Sequence, residues 1–181
     1  LEIGYPLIDY VSLFWRDDSG RFREVSSGDM LPFSKRAREH RTLTFELNQP
    51  KGTTTEYYLS VKGSSSLQIP LRVYTDQAFA KISNDENMIL GAYYGALIIM
   101  ILFNLLLGFS LKDRAYFHYV GYLGGYLSVQ MALNGNGHRF IFPNEPVLGN
   151  ILLPASLFCA MGMATSFSKG FLDTETYAPR F

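Results

Sequence analysis

The chain has 181 residues, with 16 Lys or Arg against 16 Asp or Glu, so its formal net charge is zero. This balance gives no reason to expect a nucleic-acid partner, which usually requires a basic excess. The charges are unevenly distributed, because residues 1–87 hold 23 of them and residues 88–168 hold only five. We therefore expect a soluble domain followed by a membrane domain, which argues against a single globular soluble enzyme.

Residues 1–75 consist of short alternating stretches separated by turn formers. In the first of them, Val11, Leu13 and Trp15 share one face of an extended chain. Regular short strands with turn signals predict an antiparallel β-sandwich, and the absence of intervening helical patterns disfavours a parallel sheet. The predicted strands cover residues 10–16, 22–26, 42–47, 57–61 and 68–74.

A basic segment and several aromatic residues are the candidate ligand contacts of this domain. Residues 35–41 include Arg36, Arg38 and His40, which form either a solvated loop or a rim that holds an anionic or hydroxyl-rich ligand. Trp15, Tyr57 and Tyr74 are candidates for a sugar-binding surface, although aromatic residues at alternating positions are first of all core. No catalytic motif, cofactor motif or metal-ligand spacing occurs, so we expect no enzyme activity, cofactor or metal.

Three uncharged runs predict membrane-spanning helices at about residues 88–111, 115–133 and 147–168. The first run is 24 residues long and would form a helix of about 36 Å, against a hydrocarbon core of about 30 Å. Residues 76–87 connect the sandwich to this span. A capping box from Ser83 to Glu86 predicts that the membrane helix starts near Ser83, and the alternative is one unbroken helix from Gln77 to Leu111.

Glycine pairs at helical spacing occur in two of the predicted spans. Gly91 and Gly95 share a face of the first span, and Gly121 and Gly125 share a face of the second. Such pairs allow close approach of helices, either within one bundle or across a homodimer. Lys112 and Arg114 between the first two spans favour an inner location for that turn, with residues 1–87 and 134–146 outside.

Several motifs resemble one family of bacterial receptors. The stretches Gly-Tyr-Pro-Leu-Ile-Asp-Tyr-Val at 4–11, Gly-Asp-Met-Leu-Pro-Phe-Ser at 28–34 and His-Arg at 40–41 resemble the second type of extracellular sensory domain of seven-transmembrane receptors with diverse intracellular signalling modules. Leu-Gly-Ala-Tyr-Tyr-Gly at 90–95, Phe-Asn at 103–104, Leu-Lys-Asp-Arg-Ala-Tyr at 111–116, Phe-Leu-Asp at 171–173 and Tyr-Ala-Pro-Arg at 177–180 resemble the membrane region of that family.

The resemblance implies a fold of mixed class, an all-β jelly-roll-like sandwich truncated at its start and followed by an α-helical transmembrane region. It implies a multi-pass protein of the bacterial inner membrane whose periplasmic domain, residues 1–75, senses a small molecule or carbohydrate. A cytoplasmic output module, such as a kinase or cyclase, would lie beyond this fragment. The alternatives are a membrane-anchored carbohydrate-active enzyme, which needs two converging carboxylates, and a transporter subunit, which usually has charges inside its spans.

Overall fold

A computed structural model of the chain describes residues 1–17, 19–49, 52–64 and 66–172. The motif residues 173 and 177–180 lie outside the described part. The contacts within the chain divide it into two compact units. The first unit comprises Leu1–Ala78 and Met131–Ile151, and the second comprises Phe79–Gln130 and Leu152–Phe181.

Within the described residues, the first unit contains six strands, which pair into two antiparallel three-stranded sheets with the orders β4-β1-β6 and β3-β2-β5. The mixed class, with β structure first and helices after it, is confirmed. The jelly-roll connection pattern remains a prediction. The strands are β1 Glu2–Ile3, β2 Tyr10–Arg16, β3 Phe22–Ser27, β4 Leu43–Thr44, β5 Tyr57–Lys62 and β6 Leu71–Arg72.

The long strands follow the predicted pattern and the short ones do not. β2 covers the predicted residues, and its turn into β3 is closed by the Asp17 carboxylate, which accepts hydrogen bonds from the backbone amides of Ser19 and Arg21 at 3.0 Å. The predicted strand at 42–47 shortens to the two residues of β4, and the one at 68–74 shortens to β6. Pro70 has no amide hydrogen for a ladder, which explains the late start of β6.

The core of this unit lies along one face of β2 and reaches β1 and β4. It consists of apolar side chains that are at most 3% exposed, namely Ile3, Ile8, Val11, Leu13, Leu43 and Phe45. Trp15 and Tyr57 pack against its edge and are only partly buried. The alternation predicted for β2 is therefore the pattern that buries this core.

Three α-helices follow in the described part of the chain: α1 Asp76–Leu111, α2 Arg114–Leu133 and α3 Pro146–Phe171. The prediction that the first helix starts near Ser83 is wrong, because α1 is continuous from Asp76. Its start is capped by Thr75, whose hydroxyl accepts a hydrogen bond from the Ala78 amide at 3.3 Å. Residues 77–82 contain no Gly or Pro that would end a helix, so the capping box at Ser83 lies inside it.

The two glycine pairs differ in their surroundings within the second unit. A Cβ atom on Gly125 would lie 2.9 Å from the Ala160 nitrogen, and one on Gly121 would lie 2.9 Å from Met163, so α2 and α3 approach closely here. A Cβ on Gly91 or Gly95 would meet no described atom within 4 Å. Packing within the bundle therefore accounts for the second pair and leaves the first pair uncovered in the described chain.

Candidate functional site

A cleft of about 580 Å³ opens beside the ends of β2 and β5. Its volume falls within the range of about 300–1,000 Å³ that is typical of small-molecule sites. Two aromatic side chains and several hydroxyl, amide and charged groups line it, namely Trp15, Arg16, Asp17, Asn48, Thr53, Thr54, Thr55, Glu56 and Tyr58. The combination of apolar rings with short polar side chains can bind a ligand that has both hydroxyl groups and apolar faces.

Among the predicted aromatic contacts, only Trp15 lines the cleft. It lies opposite Tyr57 in the β2–β5 ladder, with ring centroids 6.3 Å apart, and the Tyr57 hydroxyl donates a hydrogen bond to the Asn48 carbonyl at 3.0 Å. Tyr57 thus contacts two residues that line the cleft, Trp15 and Asn48. Tyr74 follows β6 of the other sheet, where its hydroxyl lies 3.5 Å from Arg72. The neighbouring Tyr58, which is 54% exposed, is the second aromatic lining residue.

The basic segment is mainly internal rather than a rim. The buried Arg36 guanidinium donates hydrogen bonds to the carbonyls of His40 and Arg41 at 2.9 and 3.1 Å. The His40 ring is also buried, and its Nδ1 lies 2.7 Å from the Thr42 hydroxyl. Arg38 is more exposed and pairs with Glu46 at 3.0 Å and with Asp76 at 2.6 Å. A ligand role for Arg36, Arg38 or His40 remains a prediction.

The first unit also contains a contact that joins distant parts of the chain. We call residues 28–36 the docking segment and residues 134–145 the α2–α3 loop. The Phe33 amide donates a hydrogen bond to the Pro143 carbonyl at 2.7 Å, and His138 Nε2 lies 3.0 Å from the Leu31 carbonyl. Since a carbonyl only accepts, His138 carries its proton on Nε2. The loop therefore packs through directed hydrogen bonds against residues 1–75, which we call the β domain.

Buried side chains reinforce this contact. His138 is 8% exposed and its ring meets the Phe33 ring edge-on, with centroids 6.0 Å apart. The amide nitrogen of Asn150, in the first turns of α3, lies 2.9 Å from the Met30 sulfur. At Gly135, whose φ is 75°, a Cβ atom would overlap the Arg41 carbonyl oxygen and lie 2.8 Å from Pro6. Only glycine fits both this backbone conformation and this approach.

Asp29 and His138, which lie on the two sides of this contact, have shifted pKa values. Burial, together with the neighbouring Asp9 charge, raises the pKa of Asp29 to about 6, and the favourable groups Asn150 and Arg36 only partly oppose this. Burial and the nearby Arg36 charge lower the pKa of His138. The docking segment therefore holds a carboxyl that resists ionisation, and the α2–α3 loop holds an imidazole that resists protonation.

Sequence reasoning missed most of these residues. Tyr58 is one of several aromatic residues in residues 1–75, and no pattern in the sequence distinguished it from the predicted contact Tyr57. His138 and Asn150 lie more than 100 residues from their partners Leu31 and Met30, a separation that no local pattern reports. The one available signal was compositional, because a loop rich in turn formers at 134–144 also contained His138 between glycine and arginine.

Comparison with protein-family models places these features in context. Residues 1–75 match the model described as 7TMR-DISM extracellular 2, and residues 86–181 match the model described as 7TM diverse intracellular signalling. The chain belongs to the 7TMR-DISM family. Searches of curated proteins and of solved structures found no match.

Membership of the 7TMR-DISM family makes the chain part of a transmembrane sensory receptor with an extracellular N-terminal domain and intracellular signalling. Within the described residues, α1 and α3 are long and apolar enough to cross a membrane, and α2 falls short of the same test. The β domain with the cleft is thus the extracellular part of a 7TMR-DISM receptor, and α1 leads from it into the membrane region.

Proposed function

We propose that the extracellular domain binds a small hydroxyl-rich ligand, such as a sugar, in the cleft beside Trp15 and releases it unchanged. The observation that carries this proposal is the lining of the cleft. Trp15 and Tyr58 are aromatic lining residues that can pack against the apolar side of a sugar, and Asn48 and Thr53–Thr55 offer short hydrogen-bonding groups. Arg16 and Glu56 add charged groups that can orient hydroxyls.

A carbohydrate-active enzyme is the second candidate, because two carboxylates, Asp17 and Glu56, line the same cleft. A glycosidase needs one carboxyl with a raised pKa to act as general acid. The hydrogen bonds from Ser19 and Arg21 instead lower the pKa of Asp17. Glu56 accepts a hydrogen bond from the Tyr58 hydroxyl at 2.7 Å. The geometry therefore favours binding over hydrolysis.

We also propose that the chain crosses the bacterial inner membrane three times, with residues 1–75 in the periplasm and a cytoplasmic output module beyond residue 181. The α2–α3 loop packs against the extracellular domain in the first unit, so both belong on the same side of the membrane. If α1 crosses the membrane, α2 has to cross back, which supports α2 as a second span despite its many Tyr and Gly residues. A homodimer through the uncovered Gly91–Gly95 face remains a prediction.

The chain offers a direct binding assay because Trp15 is its only tryptophan. The purified chain in detergent is titrated with a panel of mono- and oligosaccharides while tryptophan fluorescence is recorded. We expect saturable changes for at least one sugar, at least a tenfold weaker affinity for Tyr58→Ala, and unchanged affinity for the control Tyr74→Phe. Chromatography of the sugar after incubation should recover it intact. Hydrolysis, or the absence of saturation across the panel, contradicts the proposal.

Topology is tested with a Cys159→Ser background, which removes the only native thiol. Single cysteines are introduced at Asp113 and at Asn144 and labelled with a membrane-impermeant maleimide in spheroplasts. We expect labelling at position 144 and none at 113 until the membrane is permeabilised. Labelling at 113 in intact spheroplasts contradicts the proposed crossing.

A further inference from the structure

We propose that the α2–α3 loop belongs functionally to the sensory domain and transmits conformational changes at the cleft to α2 and α3. This route is separate from the direct connection through α1. The docked loop itself is independent of the proposed function, whereas the transmission step rests on the cleft being the ligand site.

Residues 135–138 of the loop are buried as deeply as the interior of a domain. Asn136 and His138 are 6% and 8% exposed, and Gly135 fits against the Arg41 carbonyl without room for a Cβ atom. Separating the loop would leave the Leu31 carbonyl and the Phe33 amide without their present partners. An unpaired buried polar group costs about 1–3 kcal/mol, so the loop and the docking segment should move together.

The docking segment is joined to the cleft by the β2–β3 hairpin. Trp15 and Arg16 at one end of β2 line the cleft, and Val11 near the other end pairs with Ser27, the last residue of β3. The docking segment begins at the next residue, Gly28, where a Cβ atom would overlap the Asp9 carbonyl. A seven-residue strand is about 23 Å long, so the hairpin links the cleft to the docking segment over that distance.

The loop is joined directly to two helices. α2 ends at Leu133 and α3 begins at Pro146, so displacement of the docked loop acts on the end of one helix and the start of the next. Asn150, in the first turns of α3, contacts Met30 of the docking segment through its side chain. A shift of the docking segment therefore reaches α3 through a side-chain contact as well as through the backbone.

The first experiment tests the docking by amide hydrogen exchange of the whole chain in nanodiscs. The variant Gly135→Ala is compared with Gly20→Ala, because both glycines have nearly the same φ, 75° and 76°, and only Gly135 faces other atoms. We expect exchange of the Phe33 amide to accelerate at least tenfold in Gly135→Ala and to stay unchanged in Gly20→Ala. Equal behaviour of the two variants overturns the docking.

A milder pair of variants covers the case in which Gly135→Ala fails to fold. His138→Leu removes the donor to the Leu31 carbonyl, whereas His138→Gln keeps an N–H group of similar reach. We expect His138→Leu to accelerate exchange of the Phe33 amide and His138→Gln to restore most of its protection. Equal acceleration by both variants contradicts a role for the hydrogen bond.

The second experiment tests transmission with a covalent occupant of the cleft in place of an unidentified ligand. Thr54, an exposed lining residue, is changed to Cys in the Cys159→Ser background and alkylated with benzyl maleimide. We expect alkylation to change exchange at Phe33 and in residues 146–151 by at least threefold, and to lose its effect on residues 146–151 in the presence of Gly135→Ala. An effect confined to the cleft overturns the transmission route and leaves the sugar titration unaffected as a separate test of ligand binding.

Discussion

Arg38 and Asp76 form an ion pair in which the guanidinium Nη2 lies 2.6 Å from the Asp76 carboxylate, which joins the β domain to the first residue of α1. The same guanidinium holds Glu46 through its Nε atom at 3.0 Å. The Asp76 side chain is 85% exposed, so the pair should contribute at most about 1 kcal/mol to stability. Because the pair lies at the start of α1, we expect its main effect to be the local ordering of the first turn of this helix.

We predict that Arg38→Gln accelerates amide exchange in the first turn of α1, because the guanidinium no longer holds Asp76. The free energy of unfolding should fall by less than about 1 kcal/mol, as expected of an exposed pair. The control Glu46→Gln removes the other acceptor and should leave the exchange of residues 76–80 unchanged. If both variants behave alike, the contact between Arg38 and Asp76 does not order the start of the helix.

A substitution at Ile3 tests the core that the two sheets share. It is completely buried in β1, so Ile3→Ala should destabilise the domain by about 2–5 kcal/mol through lost burial and a cavity. The control Val73→Ala, at a position that is 70% exposed, should change stability by less than about 0.5 kcal/mol. Urea unfolding followed by Trp15 fluorescence measures both. A similar loss in the two variants would mean that β1 is not part of the core.

Asp29 should make the domain more stable at acid pH than at neutral pH. Because its pKa is raised from 3.8 to about 6, the folded state holds the proton more tightly, and this contribution is lost as the pH rises through about 6. Asp29→Asn should therefore raise the free energy of unfolding at pH 7.5 by about 1–2 kcal/mol, and the gain should disappear below about pH 4. A gain that does not vary with pH contradicts the assignment.

His138 should have the opposite effect and make the domain less stable at acid pH. Its pKa is lowered from 6.5, so the folded state binds the proton less tightly than the unfolded chain does. The contribution to stability is present above pH 6.5 and is lost as the pH falls below that value. In an Asp29→Asn background, which removes the opposing titration, unfolding should become easier between about pH 6.5 and 5. Adding His138→Gln should abolish this dependence, and its persistence would assign the titration to another group.

Gly124 and Gly125 are adjacent residues of α2 with different neighbours. Gly125→Ala places a Cβ atom 2.9 Å from the Ala160 backbone and should separate α2 from α3, whereas Gly124→Ala meets nothing within 4 Å and should gain helix propensity. We expect the midpoint of thermal unfolding, followed by circular dichroism in detergent, to fall for Gly125→Ala and to be unchanged or higher for Gly124→Ala. The reverse order would exclude this helix contact.

The parts of the fold that local physics determines were predictable from the sequence. The alternation of Val11, Leu13 and Trp15 located β2, and the Asp17 to Gly20 turn located its hairpin partner. The two-residue strand β1 has no periodicity to detect, because two residues do not define a period, whereas the alternation at 42–47 located β4 but overstated its length. The start of α1 was mispredicted because a capping box marks a helix end only where the preceding residues leave the helical conformation, and residues 77–82 remain helical.

The candidate site was predictable only in part. Trp15 was expected from its ring and lines the cleft. Arg36 and His40 were expected in a solvated loop or at a rim and lie inside, where Arg36 Nη1 donates to backbone carbonyls and His40 Nδ1 lies beside the Thr42 hydroxyl. Charge in a sequence does not reveal whether the fold supplies internal acceptors. The contact between His138 and Leu31 needed the three-dimensional structure, because it joins residues 107 positions apart.

Because α1 is continuous, the number of residues at its start sets the angular position of the membrane part of the helix. The helix has 36 residues, which corresponds to a length of about 54 Å. Each alanine inserted between Gln77 and Ser83 would turn the downstream helix by about 100° and advance it by about 1.5 Å. Two insertions would direct the Gly91–Gly95 face almost to the opposite side, whereas seven would return it to within about 20° of its original direction. Receptor output should therefore vary with the number of inserted residues in a helical period rather than decline steadily with linker length.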